Sequence, residues 1–557
     1  MRSALLALLV PVALSVGCGS GSGSPSPGGN GGNGGGPSST GGAGNPNGSC
    51  STGVPARGQP ADTSSPTTVV GDGSASSCTF AALRTAAAAG GLITFDCGAG
   101  AVTIAVTETL ALPINKNTVI DGGNKVTLDG GGTTRIFSMV QLNYRTNLLG
   151  LTLQHITLAN GRAVGTKYVA PNPSNPACAY GYADGQGGAI LVRDAMLNVI
   201  DVTFRNNAAA TPGPDVGGGA IYAMGALGVT IVGSTFIGNS GSNGGAVGLL
   251  QTGGRIVNSV FSGNVANGTG RNTAGGAATG CPGVGHANQG GAGGNGGAIA
   301  IDGADDADQT VCGAQFNANR ANELAGALFR TANGTPRHTR FDRTLFQGNR
   351  AGQGGALFVM NSNPLDVVAS TFANNIAKGG AGAAQFQQSR VDIVNSSFVS
   401  NEASLGLGGA LFLGATNSAS TIQNVTFSGN RASGGPGYFS AAIAGTLNFP
   451  VYNTVFANNT TADAWSPMQC WFSPATGANN TQWPRNRVVG GAADNLCVYG
   501  AVFADPQLGL LAGNGGPTPT LMPASTSPLR RAGRNCPATD QRGVARNVAQ
   551  CTIGAVE

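Results

Sequence analysis

A repeat constrains this chain more than any other feature. Nine segments read Phe-x-x-Asn, beginning at Phe204, Phe236, Phe261, Phe316, Phe346, Phe372, Phe398, Phe427 and Phe456. Between them come Gly-Gly-Ala-apolar segments at Gly187, Gly218, Gly244, Gly296, Gly354 and Gly408, with looser copies at Ala325 and Ala381. Steps between successive Phe residues are mostly 25 to 32 residues long. A period of that size means one structural unit stacked many times, so function belongs on the surface of a stack rather than in one compact pocket.

Aligning the units on Phe exposes columns. The fifth residue before each Phe is Val199, Ile231, Ile256, Val311, Phe341, Val367, Ile393, Ile422 or Val451. All are apolar, which predicts an inward-facing strand position. The third residue before Phe is Asn at 258, 395, 424 and 453, with His155 at the matching place of an earlier unit. Stacked amides there are expected to hydrogen-bond as a ladder. The Asn of Phe-x-x-Asn is expected at a left-handed turn, and Gly-Gly at a second tight corner. A rung of about 26 residues then holds several short strands, which is the layout of an all-β, right-handed parallel β-helix. Roughly 15 rungs at ~4.8 Å each predict a rod ~70 Å long.

Composition agrees. Of 557 residues, 94 are Gly, against 29 Lys+Arg and 24 Asp+Glu. Strands and tight turns suit such a chain better than helices. A net charge of +5 without a dominant basic cluster gives no footprint for nucleic acid.

The expected organisation has five parts. Residues 1–17 read as a signal peptide, with Arg2 before an apolar core too short to span a bilayer. Residues 18–60 are a Gly/Ser/Pro-rich tether, expected to be flexible. Residues 61–160 form an N-terminal cap and the first rungs, with a short helix over Thr79 to Ala86 covering the open end. Residues 161–465 carry the repeats. Residues 466–557 form a disulfide-stapled C-terminal cap. Two long insertions, 162–186 and 265–295, fall at the same place in the rung and so on one edge of the rod.

There are 11 cysteines. Setting Cys18 aside leaves an even number, and sequence neighbours suggest Cys78 with Cys97, Cys281 with Cys312, Cys470 with Cys497, and Cys536 with Cys551. Cys50 and Cys178 are left over. No zinc-like spacing occurs, and such pairs suit an oxidising compartment.

Three resemblances follow from these residues. Leu14-Ser15-Val16-Gly17-Cys18 resembles a bacterial lipoprotein signal, which implies lipidation of Cys18 and a membrane held through that lipid. The alternating Gly-Gly-Ala-apolar and Phe-x-x-Asn segments over about residues 150–460 resemble the repeats of polymorphic outer membrane proteins, which are surface-exposed β-helices. Asp505-Pro506-Gln507-Leu508-Gly509-Leu510-Leu511, Asn514-Gly515-Gly516-Pro517, Thr539-Asp540-Gln541-Arg542-Gly543 and Cys551-Thr552-Ile553-Gly554-Ala555 resemble a choice-of-anchor Q domain. Arg531 and Thr552 stand where that pattern carries acidic residues. Together they imply a lipoprotein at the outer membrane or cell surface, or released from it. Its role would be adhesion, carbohydrate binding or envelope structure, with a polysaccharide or cell-surface ligand as partner.

Many right-handed β-helices are polysaccharide lyases or hydrolases, so a calcium-assisted, pectate lyase-like activity is the alternative. Its strongest carriers are the sixth residues before Phe in three successive rungs: Arg340, Asp366 and Asp392. They should face outward in one column, with Asp366 and Asp392 as calcium ligands and Arg340 as base. A salt ladder on a wet face is the plainer reading of the same column. The surrounding rung also carries Arg337, His338, Asp342 and Arg343. Asp302, Asp305, Asp306 and Asp308 could hold calcium but lack the calcium-loop spacing. Trp465, Trp471 and Trp483 could stack on sugars, or plug the end of the core.

Mass spectrometry of the mature N-terminus is expected to find a lipid-modified Cys18. An unmodified terminus elsewhere would remove the anchor.

Overall fold

The computed structural model describes residues 44–50, 53–166, 168–169, 181–182, 184–210, 216–268, 293–303, 307–445 and 447–557. The signal peptide, Cys18, Cys178, Cys281, Asp305, Asp306 and most of both insertions lie outside these residues. Within them the chain winds a right-handed parallel β-helix of about 13 turns.

One turn illustrates all. Arg337–Asp342 lies on face A, Leu345–Gln347 on face B, Arg350–Ala351 on a short face C, and Leu357–Met360 on face D. Each strand pairs in parallel with its counterparts one turn before and after. Among the described residues the four sheets hold 14, 14, 8 and 11 strands. Parallel sheets wound this way bury their edges everywhere except at the two ends.

The inward columns form as the repeat requires. Val199, Ile231, Ile256, Val311, Phe341, Val367, Ile393, Ile422 and Val451 are in register on face A and buried. On face B the nine repeat Phe side chains are fully buried or nearly so. They stack ring on ring, with neighbouring centroids 4.6 to 5.5 Å apart. Strand spacing sets that distance, so the stack is a consequence of register as well as a support for it.

The asparagines exchange their expected roles. The Asn of Phe-x-x-Asn is the ladder. From Asn207 through Asn239, Asn264, Asn319, Asn349, Asn375, Asn401 and Asn430 to Asn459, each Nδ2 donates to the Oδ1 one rung on, at 2.8 to 3.0 Å. The same Oδ1 accepts from the preceding Asn backbone N–H, as in Asn375 to Asn401 at 3.0 Å. From Asn239 onward each Nδ2 also donates to the carbonyl of a repeat Phe one rung back, as in Asn401 to Phe372 at 2.9 Å, and Asn207 donates to the Leu158 carbonyl at 3.0 Å. All nine are completely buried. The column three residues before Phe supplies the left-handed corner between faces A and B, with φ near +50° at His155, Asp201, Asn258, Arg343, Ala369, Asn395, Asn424 and Asn453. Such a corner turns its side chain away from the core, and along it one amide-to-amide bond joins neighbouring rungs among the described residues, Asn453 Nδ2 donating to Asn424 Oδ1 at 3.3 Å. At the Gly-Gly corner the two glycines differ in purpose. Gly354 has φ +60°, whereas a Cβ on Gly355 would sit 2.0 Å from the Gly382 carbonyl oxygen.

Segments from both ends of the described chain fold onto the wall. Helix Phe80–Ala89, capped by Thr79 accepting from Ala82 N–H, buries Leu83, Ala86 and Ala87 over the first rung, as expected. The tether does not stay free to residue 60. Asn45 N–H bonds the Asn258 carbonyl at 2.8 Å, Asn45 Nδ2 the Gly313 carbonyl at 2.8 Å, and Arg343 Nη1 the Ser49 carbonyl at 2.8 Å. Cys50 forms a disulfide with Cys312, correcting the expected Cys281–Cys312 pair. The chain then returns, and Ala61 N–H reaches Gln154 Oε1 at 2.8 Å. Cys78–Cys97, Cys470–Cys497 and Cys536–Cys551 pair as expected.

The C-terminal region also differs from a simple cap. Gly477–Ala478, Thr481–Trp483 and Val502–Phe503 continue the stack past residue 465. Beyond them the chain runs back along the same A–B corner as a strap. Asn453, Asn424 and Asn395 donate to strap carbonyls of Arg534, Gly554 and Thr539 at 2.8 to 3.1 Å. Gln541, fully buried, contacts Ser397 Oγ at 2.6 Å and Thr371 Oγ1 at 2.7 Å.

Phe398→Ala should destabilise the protein by ~3–5 kcal/mol, through lost transfer energy and a cavity. Asn401→Ala orphans Asn375 N–H, one Asn375 Nδ2 bond and the Phe372 carbonyl, and should cost about 3 kcal/mol or more at roughly 1–3 kcal/mol per buried group. Denaturant melts that match the parent would contradict this packing.

Candidate functional site

The column expected on face A exists. Register places Thr310, Arg340, Asp366, Asp392 and Thr421 side by side on successive strands. Alternation along each strand turns them away from the buried column one residue on. The side chains are partly exposed, Arg340 the most.

Each carboxylate already has an arginine partner. Asp366 Oδ2 lies 2.8 Å from His338 Nε2 and 3.4 Å from Arg340 Nη1. Arg340 Nη2 also reaches Asp342 Oδ2 at 3.3 Å, and Asp342 is buried. Asp392 Oδ2 lies 3.0 Å from Arg390 Nη2, and its Oδ1 accepts from Thr421 Oγ1 at 2.7 Å. The column is therefore a run of closed ion pairs. A guanidinium held between two carboxylates is a donor and offers no lone pair to take a proton. Among the described residues no group of three or more His, Cys, Asp or Glu converges as a metal site.

Arg390 escaped the sequence reading, although its position two residues before Asp392 puts it on the same side of the strand. His338 was visible only as part of a charged rung. A register shift between Arg337 and Thr339 opposite Ser362–Val368 accompanies its approach to Asp366.

Of the other acidic candidates Asp308 lies beside this column. Asp308 Oδ1 accepts from the His338 backbone N–H at 3.2 Å. His155 is not part of a ladder. Its Nδ1 lies 3.3 Å from Asp121 and its Nε2 3.8 Å from Asp201, at the covered A–B corner. Burial pushes the Asp201 carboxyl up, with His155 opposing. A polar recess of about 260 Å³ near the first rungs is lined by Thr107, Glu108, Thr134, Arg135, Arg162 and Asp184. Arg135 donates there to the carbonyls of Asp184, Gln186 and Gly187 at 2.7 to 3.0 Å, tacking down the insertion's return.

The tryptophans do not plug the core. Trp465 is 87 % exposed, and Trp471 and Trp483 are half-buried. The core ends instead on Cys470, Ala475, Cys497 and Val498. Trp471 packs with Phe439 and Phe472, ring centroids 5.3 and 5.8 Å away.

No protein-family model matches this chain, and no curated protein matches it significantly. The disulfides point to an oxidising compartment outside the cytoplasm. No helix among the described residues is long and apolar enough to cross a membrane.

Calcium is expected to leave the melting temperature unchanged, because a cation would have to displace Arg340 and Arg390. A calcium-dependent rise that disappears in Asp366→Asn with Asp392→Asn would establish a metal site.

Proposed function

We propose that this protein is an exported, lipid-anchored rod that binds a ligand along its wall, in adhesion, carbohydrate binding or envelope structure. The observation that carries this reading is the closed pairing of Asp366 and Asp392 with His338, Arg340 and Arg390. A lyase needs a free base and a cation beside the substrate carboxylate. In this column Arg340 is paired and both carboxylates are already bonded, while the stack offers long repeated faces.

The same reading takes the repeats as polymorphic outer membrane protein-like and the C-terminal segment as choice-of-anchor Q-like. Support for the second comes from what its motif residues do. Gln541 docks the strap on face B, and Asp540 accepts from the N–H groups of Arg542, Val544 and Glu557. Lipid at Cys18 would hold the rod at the outer membrane or cell surface.

Purified protein incubated with calcium and uronic-acid polymers is expected to yield no unsaturated product, yet to be retained on an immobilised glycan. Unsaturated product that Arg340→Ala abolishes would install the lyase reading in its place.

A further inference from the structure

The arginines of faces B and C differ from those of the face A column. Arg340 and Arg390 on face A, and Arg542 and Arg546 in the strap, all stand in ion pairs. On the Phe-x-x-Asn side, Arg205, Arg320, Arg350, Lys378 and Arg431 have no acidic partner within 4 Å among the described residues. Arg320 and Arg350 are direct neighbours in register and both exposed. Like charges one strand apart repel. Arg431 even has Glu402 opposite it in register, but Glu402 bonds the Ser433 hydroxyl instead.

The reason for the strip lies in the repeat. The residue after each ladder Asn faces outward, because the next residue, Ala in Ala321, Ala351, Ala377 and Ala432, must fit the tight corner inside. Successive turns therefore repeat the outward position every strand spacing, about 4.8 Å along the rod, and in register it reads Val265, Arg320, Arg350, Ile376, Glu402 and Arg431, with cations on consecutive turns at Arg320 and Arg350. Gln347, exposed on the adjoining face B strand, adds amide hydrogen-bonding groups. Guanidinium groups match carboxylates two bonds at a time.

We propose that this strip, centred on Arg320 and Arg350, binds an acidic polysaccharide lying along the rod, with neighbouring carboxylates meeting the guanidinium groups of these two consecutive rungs. The inference rests on the binding reading above and supplies its ligand class and face.

The test is affinity of the full chain for polygalacturonate, for its fully methyl-esterified form and for double-stranded DNA. Parent protein should bind polygalacturonate and prefer it to both. Arg320→Ala with Arg350→Ala should lose about tenfold or more, roughly 1.4 kcal/mol, through the lost charge-assisted bonds. Lys116→Ala with Lys125→Ala removes the same charge from exposed turns near the first rungs and should change affinity by about twofold at most. All four positions are exposed, so the variants should melt like the parent. Equal loss in both double variants, or equal binding of DNA, would overturn the strip. Binding of the neutral ester alone would overturn it while leaving the binding reading intact. Binding of no glycan would remove both.

Discussion

The asparagine ladder is the constraint on which the rest depends. Nine amides, fully buried, satisfy one another only if every turn keeps the same register. A slipped turn would leave Oδ1, Nδ2 and a Phe carbonyl without partners inside the core. With register held, the Phe rings must stack and the aliphatic column must close. Outward side chains then fall into straight columns as well. Any chemistry on this protein is a property of a column, repeated at strand spacing.

The columns are not equally available. The left-handed A–B corner is covered by the chain itself. The N-terminal segment reaches as far as Arg343, and the C-terminal strap as far as Ala369, one turn further on. Asn258 and Asn395, which sequence alone would assign to a ladder, are docking points for these segments. Face A beside that corner carries closed ion pairs. What stays open is the Phe-x-x-Asn side, where cations lack acidic partners among the described residues. Among the described residues one side of the rod is thus closed by the chain's own segments, and the proposed binding strip lies on the other.

Much of this was legible in the sequence. Periodicity gave the fold, the inward columns and the alignment of Arg340 with Asp366 and Asp392, because a solenoid converts sequence spacing directly into register. The helical cap at Phe80–Ala89 and three disulfides were equally local signals. Misreadings arose where the chain leaves the period. Cys312 pairs with Cys50 because a non-repeating segment crosses the corner, and no spacing rule encodes that crossing. The ladder and corner asparagines were interchanged because composition cannot say which way a side chain points at a turn. The ion pairs of face A depend on rotamers of His338 and Arg390, which a single sequence does not reveal.

The most direct test of this account is disulfide mapping by mass spectrometry of a non-reduced digest. The account predicts a peptide joining Cys50 to Cys312, since the N-terminal segment must lie along the corner beside Gly313. A peptide joining Cys281 to Cys312 would contradict it, leave that corner uncovered, and remove the division between a closed side and an open one.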